Sequence, residues 1–427
     1  MAGEKETIQY YIQRLYDRGL TTMSGGNLSV KSREGIFVTP SATDKGTLKP
    51  SDIMEVLNDG TKVGPHKVTS EFPVHKRIYE NNPGKNAVLH SHTPSILGAS
   101  VARVLPDISL LAYVFSNFNN QVAMAKYREP GSCELADETG KVLSGSKTAA
   151  ILENHGVFIV GRTMEECYDN LEDLDLICKI QRNVQKLGGK AKKLTDEDVS
   201  RYMAFKPESP EKRDDFDSGE YLKESELIAT LLKRLYKRNI TTSKNVCFSY
   251  RLENGDIVVN PKDKDIAELT AADMVVAGDR WYSGKEEPHK DFYVHKSILD
   301  SNKDINCVIT SRPPYVMAYG ASDCEYTTKV VPECYWCLSA VKKFGFSFGD
   351  RLSDFLKDYF NRAHNAVIIE NNMFIVTGQA PLGTYDRLEV AEATAEAIIE
   401  TYPMAKPVEI DEKSVRRLDT NSFGLEH

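Results

Sequence analysis

Apolar positions in the first half of the chain alternate between helical and strand periods. Between residues 4 and 18, Ile8, Tyr11, Ile12, Leu15 and Tyr16 recur at helical spacing, and Gly19 stands where a left-handed C-cap ends a helix. Residues Thr21 to Ser29 then read as a turn of small residues opening into a strand. Residues 35–41 predict a second strand, and the alternation over 52–57 before Asn58-Asp59-Gly60 predicts a hairpin. A short helix is expected after Pro94, while residues 106–132 carry no assignable period. Thr163 and Glu166 form a capping box, and Cys167, Leu171, Leu174, Ile177 and Cys178 mark the long amphipathic helix that follows. Residues 186–219 are polar, charged and proline-bearing, the composition of a linker.

Past that linker the pattern starts again. Residues 234–242 (Arg-Leu-Tyr-Lys-Arg-Asn-Ile-Thr-Thr) echo residues 14–22 (Arg-Leu-Tyr-Asp-Arg-Gly-Leu-Thr-Thr), with Asn239 in the place of Gly19, a residue that tolerates positive φ. Asp291–Lys296 echoes Glu71–Lys76, Asn306–Arg312 echoes Asn86–His92, and Ile369–Asn372 echoes Leu152–His155. Matches in one order at a nearly constant offset predict one fold present twice. The expected domains are 1–185 and 220–405, joined by the linker 186–219 and followed by a tail over 406–427.

At 427 residues the chain is long enough for two domains with separate cores. A net charge of -8 without a basic cluster argues against nucleic acid as a partner. No apolar run approaches membrane-spanning length, and the N-terminus lacks a signal-peptide pattern, so a cytoplasmic protein with no membrane partner is expected. Most of the eight cysteines sit in apolar contexts as buried thiols. Cys334 and Cys337 have redox or zinc spacing, but no second CxxC or thioredoxin-like context accompanies them.

The chemistry concentrates at Asn86-Ala87-Val88-Leu89-His90-Ser91-His92-Thr93-Pro94. An apolar strand leads into two histidines spaced i, i+2, whose rings project from one side of the chain. A second apolar strand, Ala150–Leu152, leads to His155, followed by Gly156, and Thr69-Ser70-Glu71 precedes a helical segment that also carries His75. Three imidazoles and one carboxylate able to move protons are the parts of a catalytic divalent-metal site. In the second half His90 becomes Thr310, His92 becomes Arg312, His155 becomes Asn372 and Glu71 becomes Asp291, while Ser24–Asn27 is matched with Ser243-Lys244-Asn245. The second copy is therefore expected to fold alike and to bind no metal. Because His295 persists where His75 stands, His75 is read as structural.

These residues resemble the class II aldolase and adducin-head family, through Ser24-Gly25-Gly26-Asn27, Ser70-Glu71, His90-Ser91-His92 and Asn154-His155-Gly156. The resemblance implies an α/β fold, with two tandem α/β/α domains each around a mostly antiparallel central sheet. It also implies a divalent metal, usually Zn2+ with Mn2+ as the other choice, on His90, His92 and His155. Glu71 would be the acid/base, and Ser24, Gly26, Asn27, Thr69 and Ser70 would cradle a phosphate, which suits backbone N–H groups and hydroxyls at a helix start. Aldolases of the family place a tyrosine from the loop after the HxH strand near the leaving aldehyde. The aligned position here is Leu110, and Tyr113, three residues on, is the candidate. The implied activity is cleavage of a short phosphorylated ketose through an enediolate, by a homo-oligomer such as a dimer acting as a pseudo-tetramer. Epimerase, dehydratase or decarboxylase chemistry on the same site is the alternative, as is a non-catalytic adducin-like interaction role.

Overall fold

A computed structural model describes residues 3–118, 121–208, 210–213, 221–361 and 364–420. The chain forms two compact units: Met1–Ile108 with Asn117–Cys178, and Ser109–Ser116 with Lys179–His427. The division does not follow the boundaries expected from the repeat. Residues 109–116 join the second unit, and the second unit begins inside the long helix Met164–Leu187.

The first unit holds β1 (Asn27–Lys31), β2 (Gly35–Val38), β3 (Met54–Leu57), β4 (Lys62–Val63), β5 (Ala87–Ser91), β6 (Val122–Ala125), β7 (Ala149–Leu152) and β8 (Gly156–Gly161). They form one sheet in the order β4-β3-β2-β1-β5-β8-β7-β6, antiparallel throughout except for the parallel pair β6–β7. The hairpin at Asn58-Asp59-Gly60 forms as expected, with Gly60 at φ +88°. Strand alternation separates the faces of β5. Val88 packs into an apolar cluster with Val74 and Ile78 of the helix Phe72–Asn81, Leu135 of the helix Cys133–Val142, and Phe158 and Val160 of β8. On the opposite face Ser91 Oγ donates to the carbonyl of Leu20, just past the first helix, Glu4–Asp17. Helices thus cover both faces of a mostly antiparallel sheet. Each fully buried large apolar side chain in such a core contributes roughly 1.5–3 kcal/mol.

The second unit repeats this plan. Its strands are β9 (Glu211–Lys212), β10 (Val246–Arg251), β11 (Ile257–Val259), β12 (Val275–Ala277), β13 (Trp281–Ser283), β14 (Cys307–Ser311), β15 (Lys342–Phe344), β16 (Ala366–Ile369) and β17 (Met373–Gly378). The order β13-β12-β11-β10-β14-β17-β16-β15 matches the first sheet strand for strand, and β9 adds to the β13 edge in parallel. Matching residues build its core: Val294, Ile298, Val308, Val367 and Ile375. Gly19 and Asn239 both adopt left-handed φ, +66° and +60°, at the ends of equivalent helices.

The segment expected to be a linker is in part folded. Thr195 caps the helix Asp196–Ala204 through a capping box, and Glu211–Lys212 is β9 itself. Polar composition hid these elements because both are solvent-facing, the helix burying Val199 and the strand lying at a sheet edge. Residues 209 and 214–219 of that segment lie outside the described residues. The expected tail contains the helix Glu412–Thr420. The unassigned stretch 106–132 contains the helix Ala112–Phe118 and then β6, and the helix Cys133–Val142 begins just past it.

Candidate metal centre

The site forms where β5 ends beside β8. His90 is the penultimate residue of β5, paired with Phe158, and its ring stacks on the Phe158 ring at 4.1 Å between centroids. His90 Nδ1 lies 3.0 Å from the carbonyl oxygen of Val157. Since a carbonyl only accepts, Nδ1 carries the proton and the Nε2 lone pair is left free to face the site. His92 follows the strand, and its Nε2 approaches His90 Nε2 to 3.1 Å. His155 enters from the β7–β8 turn, made tight by Asn154 at φ +56° and held by the His155 N–H donating to Ser100 Oγ at 3.1 Å. One nitrogen from each ring lies within 4.8 Å of the others.

Two glycines permit this approach. A Cβ at Gly156 would stand 2.6 Å from the Ser91 carbonyl oxygen and 2.8 Å from the His92 ring. Gly26 has φ +68°, and a Cβ there would stand 2.7 Å from the His90 carbonyl oxygen.

Glu71 stands at the start of the helix Phe72–Asn81 but makes no cap hydrogen bond to it. Its carboxylate turns to the imidazoles instead, with Oε2 3.2 Å from His90 Nε2 and Oε1 3.1 Å from His155 Nε2. Asn27 Nδ2 donates to Glu71 Oε2 at 2.7 Å. That fixes the Asn27 amide, so its Oδ1 accepts from His75 Nε2, and His75 Nδ1 is left to accept from the Ser29 hydroxyl at 2.7 Å. The Tyr79 hydroxyl closes the chain, donating to the Ser29 carbonyl at 2.9 Å. His75 is thus committed to a buried polar chain behind Glu71 rather than to the three converging histidines.

Burial alone would raise the Glu71 carboxyl, but His90, His155 and the Asn27 amide outweigh it and hold it well below the usual carboxylate range. Burial pushes His90 down to about 3 against the pull of Glu71, and burial with the neighbouring His155 lowers His92. Near neutral pH both rings are therefore neutral, the form that donates to a metal. The distances fit the same use. Tetrahedral zinc with nitrogen ligands at 2.0–2.1 Å separates those ligands by about 3.3 Å, close to the His90–His92 approach. His155 Nδ1 is buried without a hydrogen-bond partner among the described residues.

Most of the remaining expected residues adjoin this point along the sheet or the chain. Asn27 pairs with His90 across β1 and β5, which sets the turn Ser24–Asn27 against the histidine strand. Thr69 and Ser70 immediately precede Glu71, and the Glu71 N–H donates to Thr69 Oγ1 at 3.4 Å. Ser24 and Ser70 are exposed, while Thr69 is buried. Tyr113 belongs to the second unit, where Lys290 Nζ lies 3.8 Å from its ring centroid and the Arg312 guanidinium 5.7 Å.

In the second unit the equivalent point is filled by an ion pair. Arg312 Nη1 lies 3.0 Å from Asp291 Oδ2, with the two side chains 0% and 5% exposed. Asn372 Nδ2 donates to the Ser347 carbonyl at 2.8 Å, and the buried Met373 replaces Gly156. Sheet register corrects one alignment. Asn27 faces His90, and Cys247, not Asn245, faces Thr310. The loops therefore match without a gap, Met23 with Ser243 and Gly26 with Val246, and the Asn27 amide is lost together with the three histidines. Ser29 and His75, by contrast, persist as Ser249 and His295, 2.8 Å apart.

Sequence reasoning missed the link from Asn27 through His75 to Ser29 and Tyr79. The paired persistence of serine and histidine in both repeats was the available signal.

The chain is similar in sequence to several known proteins. The L-fuculose phosphate aldolase of Methanocaldococcus jannaschii is 34% identical over 168 residues, 39% of this chain and 90% of that protein. The 3-oxo-tetronate 4-phosphate decarboxylase of Escherichia coli K12 is 28% identical over 181 residues, 41% of this chain and 84% of that protein. Among solved structures, an L-fuculose 1-phosphate aldolase is 27% identical, with 48% of this chain and 99% of that one covered at a TM-score of 0.42. The sequence model for the Class II Aldolase and Adducin N-terminal domain matches residues 6–182 and again 226–399. With most of its length matched, the chain belongs to the class II aldolase and adducin family and carries the family's domain twice.

Proposed function

We propose that the first unit is a divalent-metal-dependent, aldolase-type lyase acting on a short phosphorylated ketose. The observation that carries this reading is the convergence of His90, His92 and His155, with the Glu71 carboxylate beside His90 and His155. The likeness to an L-fuculose phosphate aldolase supports the substrate class.

His90, His92 and His155 would hold the ion, with zinc suited to three nitrogen ligands and manganese the other choice. When bound, it would supply Lewis acidity toward a carbonyl and positive charge for the electron pair released as a neighbouring C–C bond breaks. Glu71 is kept ionised by its neighbours, so it is ready to accept a hydroxyl proton from the substrate and return a proton to carbon. Asn27, with both ends of its amide occupied, acts by aiming Glu71. The backbone around Gly26 and the hydroxyls of Ser24, Thr69 and Ser70 would take the phosphate.

Tyr113 is the remaining candidate acid. Tyr113→Phe with loss of turnover and metal retained assigns it to the chemistry; unchanged turnover assigns it to packing within the second unit. The second unit keeps its framework without ligands, and we infer that it serves assembly of a homo-oligomer. Light scattering showing a fully active monomer would remove that inference.

Metal analysis of the purified full chain tests the central reading. About one divalent ion per chain, lost in His155→Ala, is expected; no uptake of zinc or manganese sinks it. A second reading, decarboxylation of a keto-acid phosphate, draws on the Escherichia coli relative. Product analysis separates them, since carbon dioxide release replaces release of an aldehyde.

A further inference from the structure

The loop between β2 and β3 carries a buried lysine that the chemistry above does not use. Lys45 is 1% exposed. Its backbone N–H donates to the carbonyl of Met23 at 2.9 Å, one residue before Ser24. On the other side the Ser41 N–H donates to the carbonyl of Lys67 at 2.9 Å, and Pro40 bridges to Val68, one residue before Thr69. The loop is therefore wedged between the two segments that carry the expected phosphate donors.

The Lys45 amine has only neutral partners: Nζ donates to the Pro40 carbonyl at 3.0 Å and to Thr43 Oγ1 at 3.5 Å. No carboxylate pairs with it among the described residues. A buried ammonium without a counter-charge is costly, and burial pushes this one down to about 8.

The second unit shows that the loop does not need the cation in order to fold. Ile266 occupies the same place at 1% exposure. Its N–H donates to the Ser243 carbonyl at 3.1 Å, as Lys45 does to Met23, and Pro261 bridges to Pro288 as Pro40 does to Val68. The loop geometry is kept where the three histidines are lost, and the lysine disappears with them.

We propose that Lys45 is a substrate-binding residue, its ammonium supplying the counter-charge for the anionic group held between Ser24–Asn27 and Thr69–Ser70. This rests on the reading of a phosphorylated substrate given above. Dianionic phosphate would replace the two neutral oxygens as the partner of Nζ and give the buried charge its missing opposite.

The test is titration calorimetry of inorganic phosphate into the metal-loaded full chain, comparing wild type with Lys45→Met and Lys45→Arg. Lys45→Met is expected to weaken binding about tenfold or more, with metal content unchanged and the thermal midpoint at pH 7 not lowered; Lys45→Arg stays within a few fold. Wild-type affinity should also fall as the pH passes above 8, where phosphate keeps its charge and the amine does not, and Lys45→Met should lack that fall. Equal phosphate binding by wild type and Lys45→Met overturns the assignment alone. A Lys45→Met chain that fails to fold also overturns it, because the amine would then be holding the loop. A wild type that holds metal but binds no phosphate removes the phosphorylated-substrate reading, and this assignment falls with it.

Discussion

At the end of β5 the first unit presents three imidazoles and a carboxylate; at the end of β14 the second presents a guanidinium and a carboxylate. The strands around them have the same order and register, so the difference lies in the side chains alone. In the first unit the positive charge that would balance Glu71 is that of an exchangeable ion, which neutral rings could hold. In the second it is built in as Arg312 and cannot leave. The space is closed in step: Met373 stands for Gly156 and Val246 for Gly26, two positions at the site where the first unit has no Cβ. A fold can thus keep its architecture while a site becomes a permanent salt bridge, because the sheet is specified by its apolar alternation and the site by a few polar positions.

The largest effect should come from Glu71→Gln. Turnover is expected to fall by about 100-fold or more with metal content preserved, since the amide cannot take a proton. Wild-type turnover in that variant would remove Glu71 from the mechanism and leave the two strand ends chemically equivalent. The corresponding change, Asp291→Asn, should leave turnover alone and cost stability instead. It strands the Arg312 charge in the interior, at about 3–5 kcal/mol, read by urea unfolding. If activity vanished with folding preserved, the second unit would have to carry chemistry.

Acid sharpens the same contrast. Burial would raise the Asp291 carboxyl, but Arg312, His289 and Lys290 outweigh it and hold it far below the usual range. A carboxylate depressed in the folded state contributes stability that is complete above its unfolded value of about 4 and is lost as the pH falls below it. Unfolding measured by circular dichroism should therefore show an acid limb below about pH 4 that flattens in Asp291→Asn.

Asn27→Ala should have a smaller effect, about 1–3 kcal/mol, because it strips a donor from Glu71 and leaves His75 Nε2 unpaired. Thermal unfolding measures it, and a neutral result would show that the chain behind Glu71 is dispensable. The smallest difference is at the helix ends. Gly19→Asn, which copies Asn239, should cost less than about 1 kcal/mol by calorimetry, since asparagine also tolerates left-handed φ.

Much of this was written in the sequence. The i, i+2 spacing put His90 and His92 on one side, the apolar runs before His90 and His155 each announced a strand, and the repeat exposed which residues were lost together. Local patterning sufficed there because those signals concern neighbours along the chain. What the chain order does not contain is which strands lie side by side. Only the pairing of β1 with β5 set Asn27 against His90 and identified Cys247 as its counterpart. Only the tertiary fold carried Tyr113 to Lys290 and Arg312, across a sequence separation that no local period spans. Lys45 shows the same limit: in sequence it is one charged residue in a polar loop, and its meaning depends on burial between two segments that are distant along the chain.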